Sequence, residues 1–179
     1  MSSPLPEFVD PWRLAEQGKA FSGTIELKDL PRLREALMSE EGRAEFELRF
    51  ERGDQRRVCI RGSVTATLVL ECQRCLEPMD YPVDSPVDLA VIEVVEEVAR
   101  LPVESEPLLA EEGRIRLMDV VEDELLLSIP QVPRHDTREC GGHIEALAAD
   151  ALADIQQAEE TPEINPFAVL AGLKSNQKN

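Results

Sequence analysis

Two cysteines spaced three residues apart are the side chains of this sequence best suited to chemistry. The segment CQRC at residues 72–75 has the C-x2-C spacing that lets two thiolates bind one tetrahedral zinc ion. A complete zinc site needs two further soft ligands. The candidates are His135, Cys140 and His143. We predict a zinc site formed by Cys72, Cys75, His135 and Cys140.

Two other interpretations of Cys72 and Cys75 stay open from the sequence alone. The thiols can be free, since a reduced cysteine packs as a small apolar side chain at the end of a strand. They can also form a redox pair, although the strand-to-helix context of thioredoxin-like motifs is missing around them. Zinc is the only cofactor that these residues indicate.

Segments in which apolar residues alternate strictly must position the C-x2-C pair. Residues 44–51, 57–72 and 79–92 each place their apolar side chains on one face, which is typical of antiparallel strands buried on one side. A shorter alternation predicts a further strand over residues 21–27. The sequence therefore predicts a β-meander with the C-x2-C pair between its two longest strands.

The register of these strands is restricted by parity. Inward side chains must oppose inward side chains across a strand pair. In the first hairpin this rule favours Phe50 opposite Val58, across a three-residue loop. In the second it favours Cys72 opposite Met79, which leaves Cys75 within the loop. The C-x2-C pair is therefore expected at the tip of a hairpin.

Helical patterns flank the strands. Asp10 and Pro11 are suited to the N-cap and first position of a short helix. Leucines at helical spacing predict a helix over residues 29–38, and a wider apolar stripe predicts one over residues 115–129. Residues 143–158 predict another helix.

These elements predict an α+β fold in which an antiparallel β-meander packs with helices and is followed by an acidic C-terminal helical extension. We predict a core domain over residues 1–142 and a helical tail with a short terminal motif over residues 143–179. Residues 93–113 are acidic and broken by two prolines, so we expect a surface loop there.

The charge of the chain limits the partners it can bind. The formal net charge is -17. Residues 1–92 carry 12 Lys and Arg against 17 Asp and Glu, and residues 93–179 carry 7 against 19. Such a surface repels phosphates, whereas affinity for nucleic acid comes largely from cations. The composition favours a basic partner, such as a ribosomal protein.

Arginines form the only basic cluster of the sequence, and we expect it at one end of the sheet. Its members are Arg49, Arg52, Arg56, Arg57, Arg61 and Arg74. Arg52, Arg56 and Arg74 are the candidates for contact with RNA, because the other three have nearby carboxylates. Pairing of the cluster with Glu47 and Glu51 across the strands is the favoured alternative.

Two further motifs are candidates for binding. Phe167, Leu170 and Leu173 form an apolar stripe on a segment too short to be a stable helix alone. This stripe either docks on its own domain or binds a groove of a partner. The carboxylates of residues 122–124 diverge around a helix, so we expect them on a solvated face.

The sequence shows few features of an enzyme, an exported protein or a membrane protein. It has two histidines and no nucleophile–base arrangement or glycine-rich phosphate loop, which argues against catalysis. The N-terminus lacks the basic and apolar regions of a signal peptide, and no stretch reaches the ~20 apolar residues of a membrane span. Cysteines without an export signal indicate a reducing compartment, so we expect a cytoplasmic protein.

Four short segments stand in a characteristic order. They are DPWRLA at 10–15, LECQRCLEPM at 70–79, VEDELLLSIPQVPRH at 121–135 and NPFAVLAGLK at 165–174. Together they resemble the YceD family of large ribosomal RNA subunit accumulation proteins. The resemblance implies a role in the synthesis, processing or stability of 23S rRNA. Some relatives carry more cysteines where this chain has only Cys140, so zinc binding here requires His135 as a ligand.

The function predicted from these observations is that of a non-enzymatic ribosome biogenesis factor. It would bind a basic ribosomal protein or a large-subunit precursor particle, with contact to RNA indirect. The first alternative is a direct RNA-binding module that uses the arginine cluster. The second is an RNA-processing enzyme.

Overall fold

A computed structural model describes residues 6–53, 57–103, 105–136 and 140. The chain divides into two compact units, Met1–His135 and Asp136–Asn179. The predicted helix over residues 143–158 and the terminal stripe of Phe167, Leu170 and Leu173 lie outside the described residues. The division into a core and a tail at residue 142 stays a prediction.

A five-stranded sheet forms the first unit together with short helices. In chain order the elements are α1 (Pro11–Glu16), β1 (Ala20–Glu26), a 3-10 helix (Leu27–Asp29), α2 (Pro31–Arg34), β2 (Arg43–Arg52), β3 (Val58–Glu71), β4 (Pro78–Ile92), a second 3-10 helix (Val95–Arg100), β5 (Glu106–Leu109) and α3 (Leu117–Ser128). The strand order is β1-β2-β3-β4-β5. The first four strands are antiparallel, and β5 runs parallel to β4. The predicted α+β meander is confirmed for the described residues.

One face of the sheet carries the core because the side chains alternate along each strand. In β2 the apolar residues Phe46, Leu48 and Phe50 are buried, and the residues between them are exposed or half-buried. The helices cover this face. Burying one such side chain contributes about 1.5–3 kcal/mol, so the alternation fixes which face is covered.

The predicted parity is correct, but both predicted registers are wrong by two residues. Phe50 lies opposite Ile60 instead of Val58. Met79 lies opposite Leu70 instead of Cys72. A shift of two keeps every side chain on its own face, so burial cannot distinguish these registers. The length of the loop that connects each pair of strands distinguishes the two registers.

Gly62 marks a position where β3 approaches β2 too closely for a side chain. It lies opposite Leu48 on β2. A Cβ atom at this position would overlap the backbone carbonyl of Glu47. Glycine is therefore required for this pairing of the two strands.

Two of the predicted segments near the N-terminus have different outcomes. Asp10 caps α1 as predicted, with its side chain accepting a 3.0 Å hydrogen bond from the backbone N–H of Arg13. The helix predicted over residues 29–38 is present but shorter, because α2 covers only Pro31–Arg34. Turn residues follow at 35 and 36, and the N–H of Met38 donates to the carbonyl of Val69 on β3.

The expectation of a simple loop over residues 93–113 is also wrong. Residues Val95–Arg100 form a 3-10 helix, and residues Glu106–Leu109 form the edge strand β5. The sequence gives little sign of β5, because the strand has four residues, includes Pro107 and is mostly exposed. No helix among the described residues is long and apolar enough to cross a membrane.

Helix α3 lies on the sheet through its predicted apolar stripe, but it also buries two charged residues. Leu117, Val121 and Leu125 are fully buried, as predicted. The expected solvated face is wrong for Glu122 and Glu124, which are 2% and 7% exposed.

Glu122 joins α3 to α2 through three hydrogen bonds. One of its oxygens accepts from the backbone N–H groups of Arg32 and Leu33 at 2.7 and 3.1 Å. The other accepts from the Arg32 side chain at 2.8 Å. The Glu122 carboxylate, chiefly through this hydrogen bond, raises the pKa of Arg32. The free backbone donors at the start of α2 thus explain why a carboxylate is buried here.

We expect Glu122→Gln to lower the free energy of unfolding by about 1–3 kcal/mol, because an amide cannot accept all three hydrogen bonds. The matched control is Asp123→Asn, which breaks the exposed pair of Asp123 with the same Arg32. This control should cost less than about 1 kcal/mol. Urea unfolding measures both. Equal losses would show that the burial of Glu122 adds nothing.

Candidate functional site

The C-x2-C pair lies in the tight turn that joins β3 to β4. The backbone N–H of Cys72 donates to the carbonyl of Glu77 at 3.0 Å, and the N–H of Leu76 donates to the carbonyl of Cys72 at 2.8 Å. Leu76 has a φ of 62°, the left-handed region that turns the chain back toward β4. This turn confirms the predicted hairpin tip.

The segment after α3 brings His135 to this tip. The N–H of Gln73 donates to the carbonyl of Pro133 at 2.8 Å. The backbone N–H of His135 points at the Cys72 sulfur at 3.4 Å, and Nδ1 of its ring lies 3.3 Å from the Cys75 sulfur. Two cysteines of the hairpin and one distant histidine therefore meet at one place.

The other ring nitrogen of His135 fixes the tautomer that suits a metal ligand. Nε2 lies 3.1 Å from the carbonyl oxygen of Pro78. A carbonyl only accepts hydrogen bonds, so Nε2 carries a proton, and in the neutral ring the lone pair on Nδ1 then faces Cys75. Histidines that bind metals commonly donate their second N–H to a backbone carbonyl in this way.

Four ligand atoms come together at the tip. Those of Cys72, Cys75, His135 and Cys140 all lie within 4.8 Å of one another. Zn–S bonds of about 2.3 Å set tetrahedral ligand atoms about 3.8 Å apart, so the cluster is near the size that zinc requires. Cys72 and Cys140 are buried, whereas Cys75 and His135 are half-buried. The sequence predicted this set of residues, and the structure brings them together.

The arginines do not form one cluster. Arg52 lies at the start of the β2–β3 hairpin and Arg74 at the β3–β4 tip, so the length of β3 separates them, roughly 40 Å. The predicted location of the whole cluster at one end of the sheet is therefore wrong. Arg52 pairs with Glu16 at 2.9 Å, and Arg61 pairs with Glu51 and Asp88. Arg56 lies outside the described residues.

Glu124 is a buried charge that sequence reasoning missed, and none of the described residues places a cation beside it. Its carboxylate accepts a 3.0 Å hydrogen bond from the Ser85 hydroxyl. Burial raises the pKa of Glu124, the Ser85 hydrogen bond lowers it, and the nearby charges of Glu106 and Asp123 raise it further. The signal in the sequence was its position three residues after Val121, on the buried side of α3.

The described part of the chain defines an α+β protein whose hairpin tip carries a Cys3His cluster. Comparison with known proteins identifies its relatives. The profile of the family described as large ribosomal RNA subunit accumulation protein YceD matches residues 60–174. The protein of Haemophilus influenzae with the same description is 33% identical over 171 residues, which cover 95% of this chain and 96% of that protein. No solved structure matches this chain.

The chain therefore belongs to the YceD family. The match spans the hairpin tip, β4, β5 and α3. The resemblance inferred from four short segments is confirmed.

The raised pKa of Glu124 predicts an effect of pH on stability. A carboxyl group whose folded pKa is raised stabilises the fold below its ordinary value near 4.5, and this contribution is lost as pH rises through the folded pKa. Glu124→Gln keeps an acceptor for Ser85 but removes the charge. We therefore expect this variant to gain stability relative to the wild type between about pH 5 and pH 8.

Urea unfolding at both pH values measures this difference. Asp119→Asn is the matched control, because Asp119 is an exposed carboxylate of the same helix. A stability difference between Glu124→Gln and wild type that does not change with pH would contradict the role of burial.

Proposed function

We propose that this protein is a biogenesis factor of the large ribosomal subunit that supports the accumulation of 23S rRNA. Membership of the YceD family carries this proposal, since the matching family and the Haemophilus influenzae relative are described as large ribosomal RNA subunit accumulation proteins. The proposed site of action is the cytoplasm, and the proposed mode of action is binding without catalysis.

The open face of the sheet favours a basic partner over naked RNA. Apart from the buried Cys59, Ala90 and Ile92, its outward positions on β1 to β4 are exposed or half-buried, and they carry many more carboxylates than cations. The carboxylates are Glu26, Glu45, Glu47, Glu51, Glu71, Asp80, Asp84 and Asp88, and the cations are Arg43, Arg49 and Arg61. Arg61 is already paired with two of these carboxylates.

A negative face of this kind attracts a cationic protein surface and repels phosphates. The first unit as a whole has the same sign, with 16 Lys and Arg against 28 Asp and Glu in residues 1–135. We therefore propose a basic ribosomal protein, or the protein surface of a precursor particle, as the partner. Contact with RNA is indirect in this proposal, and Arg52, Arg56 and Arg74 are not needed for it.

A structural zinc ion is part of the proposal. Three thiols and an imidazole are the donors that zinc prefers, and the hydrogen bond from His135 to Pro78 holds the ring in the tautomer that binds. Four protein ligands would leave zinc no open position for water, which suits a structural role and not catalysis. Bound zinc would link the β3–β4 tip to the chain after α3.

We expect the protein purified without chelator to contain about one equivalent of zinc. Cys75→Ser should lower this content several-fold, because one thiolate ligand is lost. Cys59→Ala is the control, since Cys59 is a cysteine that lies within β3 and is not one of the four clustered residues. Elemental analysis measures the metal. Zinc well below one equivalent in the wild type, or unchanged in Cys75→Ser, would exclude the site.

The proposed function predicts co-sedimentation of the tagged full-length chain with a precursor of the large subunit on a sucrose gradient. The particle-bound fraction should fall as salt rises from about 0.05 to 0.5 M, because the attraction is between exposed charges. Depletion of the protein should lower the level of 23S rRNA relative to 16S rRNA.

Three outcomes would contradict the proposed function. A chain that stays at the top of the gradient at low salt has no partner in the particle. Unchanged 23S rRNA after depletion would remove the role in accumulation. Cleavage of precursor RNA by the purified protein would show an enzyme instead of a binding factor.

A further inference from the structure

A groove of about 550 Å³ lies between the edge strand β5 and helix α3. Its apolar walls come from Pro107 and Leu108 on the strand and from Val120, Leu126 and Leu127 on the helix. Leu127 is 78% exposed, although it lies in the helix that supplies part of the core. An apolar groove of this volume is within the range of protein binding sites.

The polar part of the groove is entirely acidic. The carboxylates of Glu106, Asp123 and Glu124 line it, and no Lys or Arg does so among the described residues. Asp123 is paired with Arg32 at 2.6 Å, whereas Glu106 and Glu124 have no ion-pair partner in the described part of the chain.

The ionised form of Glu124 is unfavourable in the free groove, and a bound cation would make it more favourable. Burial disfavours its ionised form, the hydrogen bond from Ser85 partly offsets this, and the charges of Glu106 and Asp123 disfavour the ionised form further. A cation placed among these three carboxylates would stabilise the ionised form of Glu124. The groove therefore combines apolar contact area with carboxylates that a bound cation would stabilise.

We propose that this groove binds a short basic segment of a protein partner, in which a large apolar side chain stands next to Lys or Arg. The apolar side chain packs against Leu108, Val120 and Leu127, and the cation pairs with Glu106 and Glu124. This inference rests on the proposed function, because it names the part of a basic cargo that the groove would hold. RNA does not fit, since its phosphates would face three carboxylates.

The test uses the full-length protein with a photo-crosslinking benzoylphenylalanine in place of Leu127. We expect crosslinks to a segment of a basic protein that has an apolar residue beside Lys or Arg. The same amino acid at Val103 is the matched control, because Val103 is fully exposed and does not line the groove. Crosslinks from position 127 only to RNA, to a second copy of the chain, or to its own C-terminal residues would overturn the inference.

A charge substitution provides the second arm. Leu127→Glu should reduce the particle-bound fraction on the gradient about tenfold, whereas Val103→Glu should leave it unchanged. The exposure of both side chains predicts that both variants fold, which thermal unfolding checks. Equal binding by the two variants would overturn the proposal that the groove is a binding site, and would leave the proposed function standing. A wild-type chain that fails to sediment would overturn the proposed function, while the crosslinks still decide the groove.

Discussion

The pairing of β3 with β4 is the contact from which the other features of the first unit follow. Thirteen residue pairs, from Cys59 with Ala90 to Glu71 with Pro78, hold these two strands together. The turn between the two strands contains the two cysteines, and the C-terminal end of β4 pairs with β5. Its inner face supports α3, which in turn positions both the groove and the segment that carries His135.

Much of this sheet could be predicted because alternation is a strong signal when one face is buried. The strands β2, β3 and β4 and their inward faces follow from it. Alternation determines a register only up to a shift of two residues, so Phe50 and Met79 were assigned the wrong partners. β5 was missed because a four-residue edge strand that is mostly exposed has no buried face to leave a pattern.

The four residues of the Cys3His cluster could be chosen from the sequence because few soft side chains are present, not because their positions were known. Nothing in the local sequence shows that His135 lies beside Cys75, since 60 residues separate them. The buried glutamates were harder to predict, because the reason for burying Glu122 is a pair of backbone donors in a helix 90 residues away. Local rules describe a helix face, whereas burial of a charge depends on what another segment leaves unsatisfied.

The separation in sequence between the hairpin tip and His135 also sets a delay during synthesis, between formation of the hairpin and arrival of the histidine. A chain made from its N-terminus can form the β3–β4 hairpin once Ile92 has emerged from the ribosome, but His135 emerges about 40 residues later. At ordinary rates of translation that delay is roughly 2 to 8 seconds. During that interval the thiols of Cys72 and Cys75 are held close together on the nascent protein without the imidazole that later covers them.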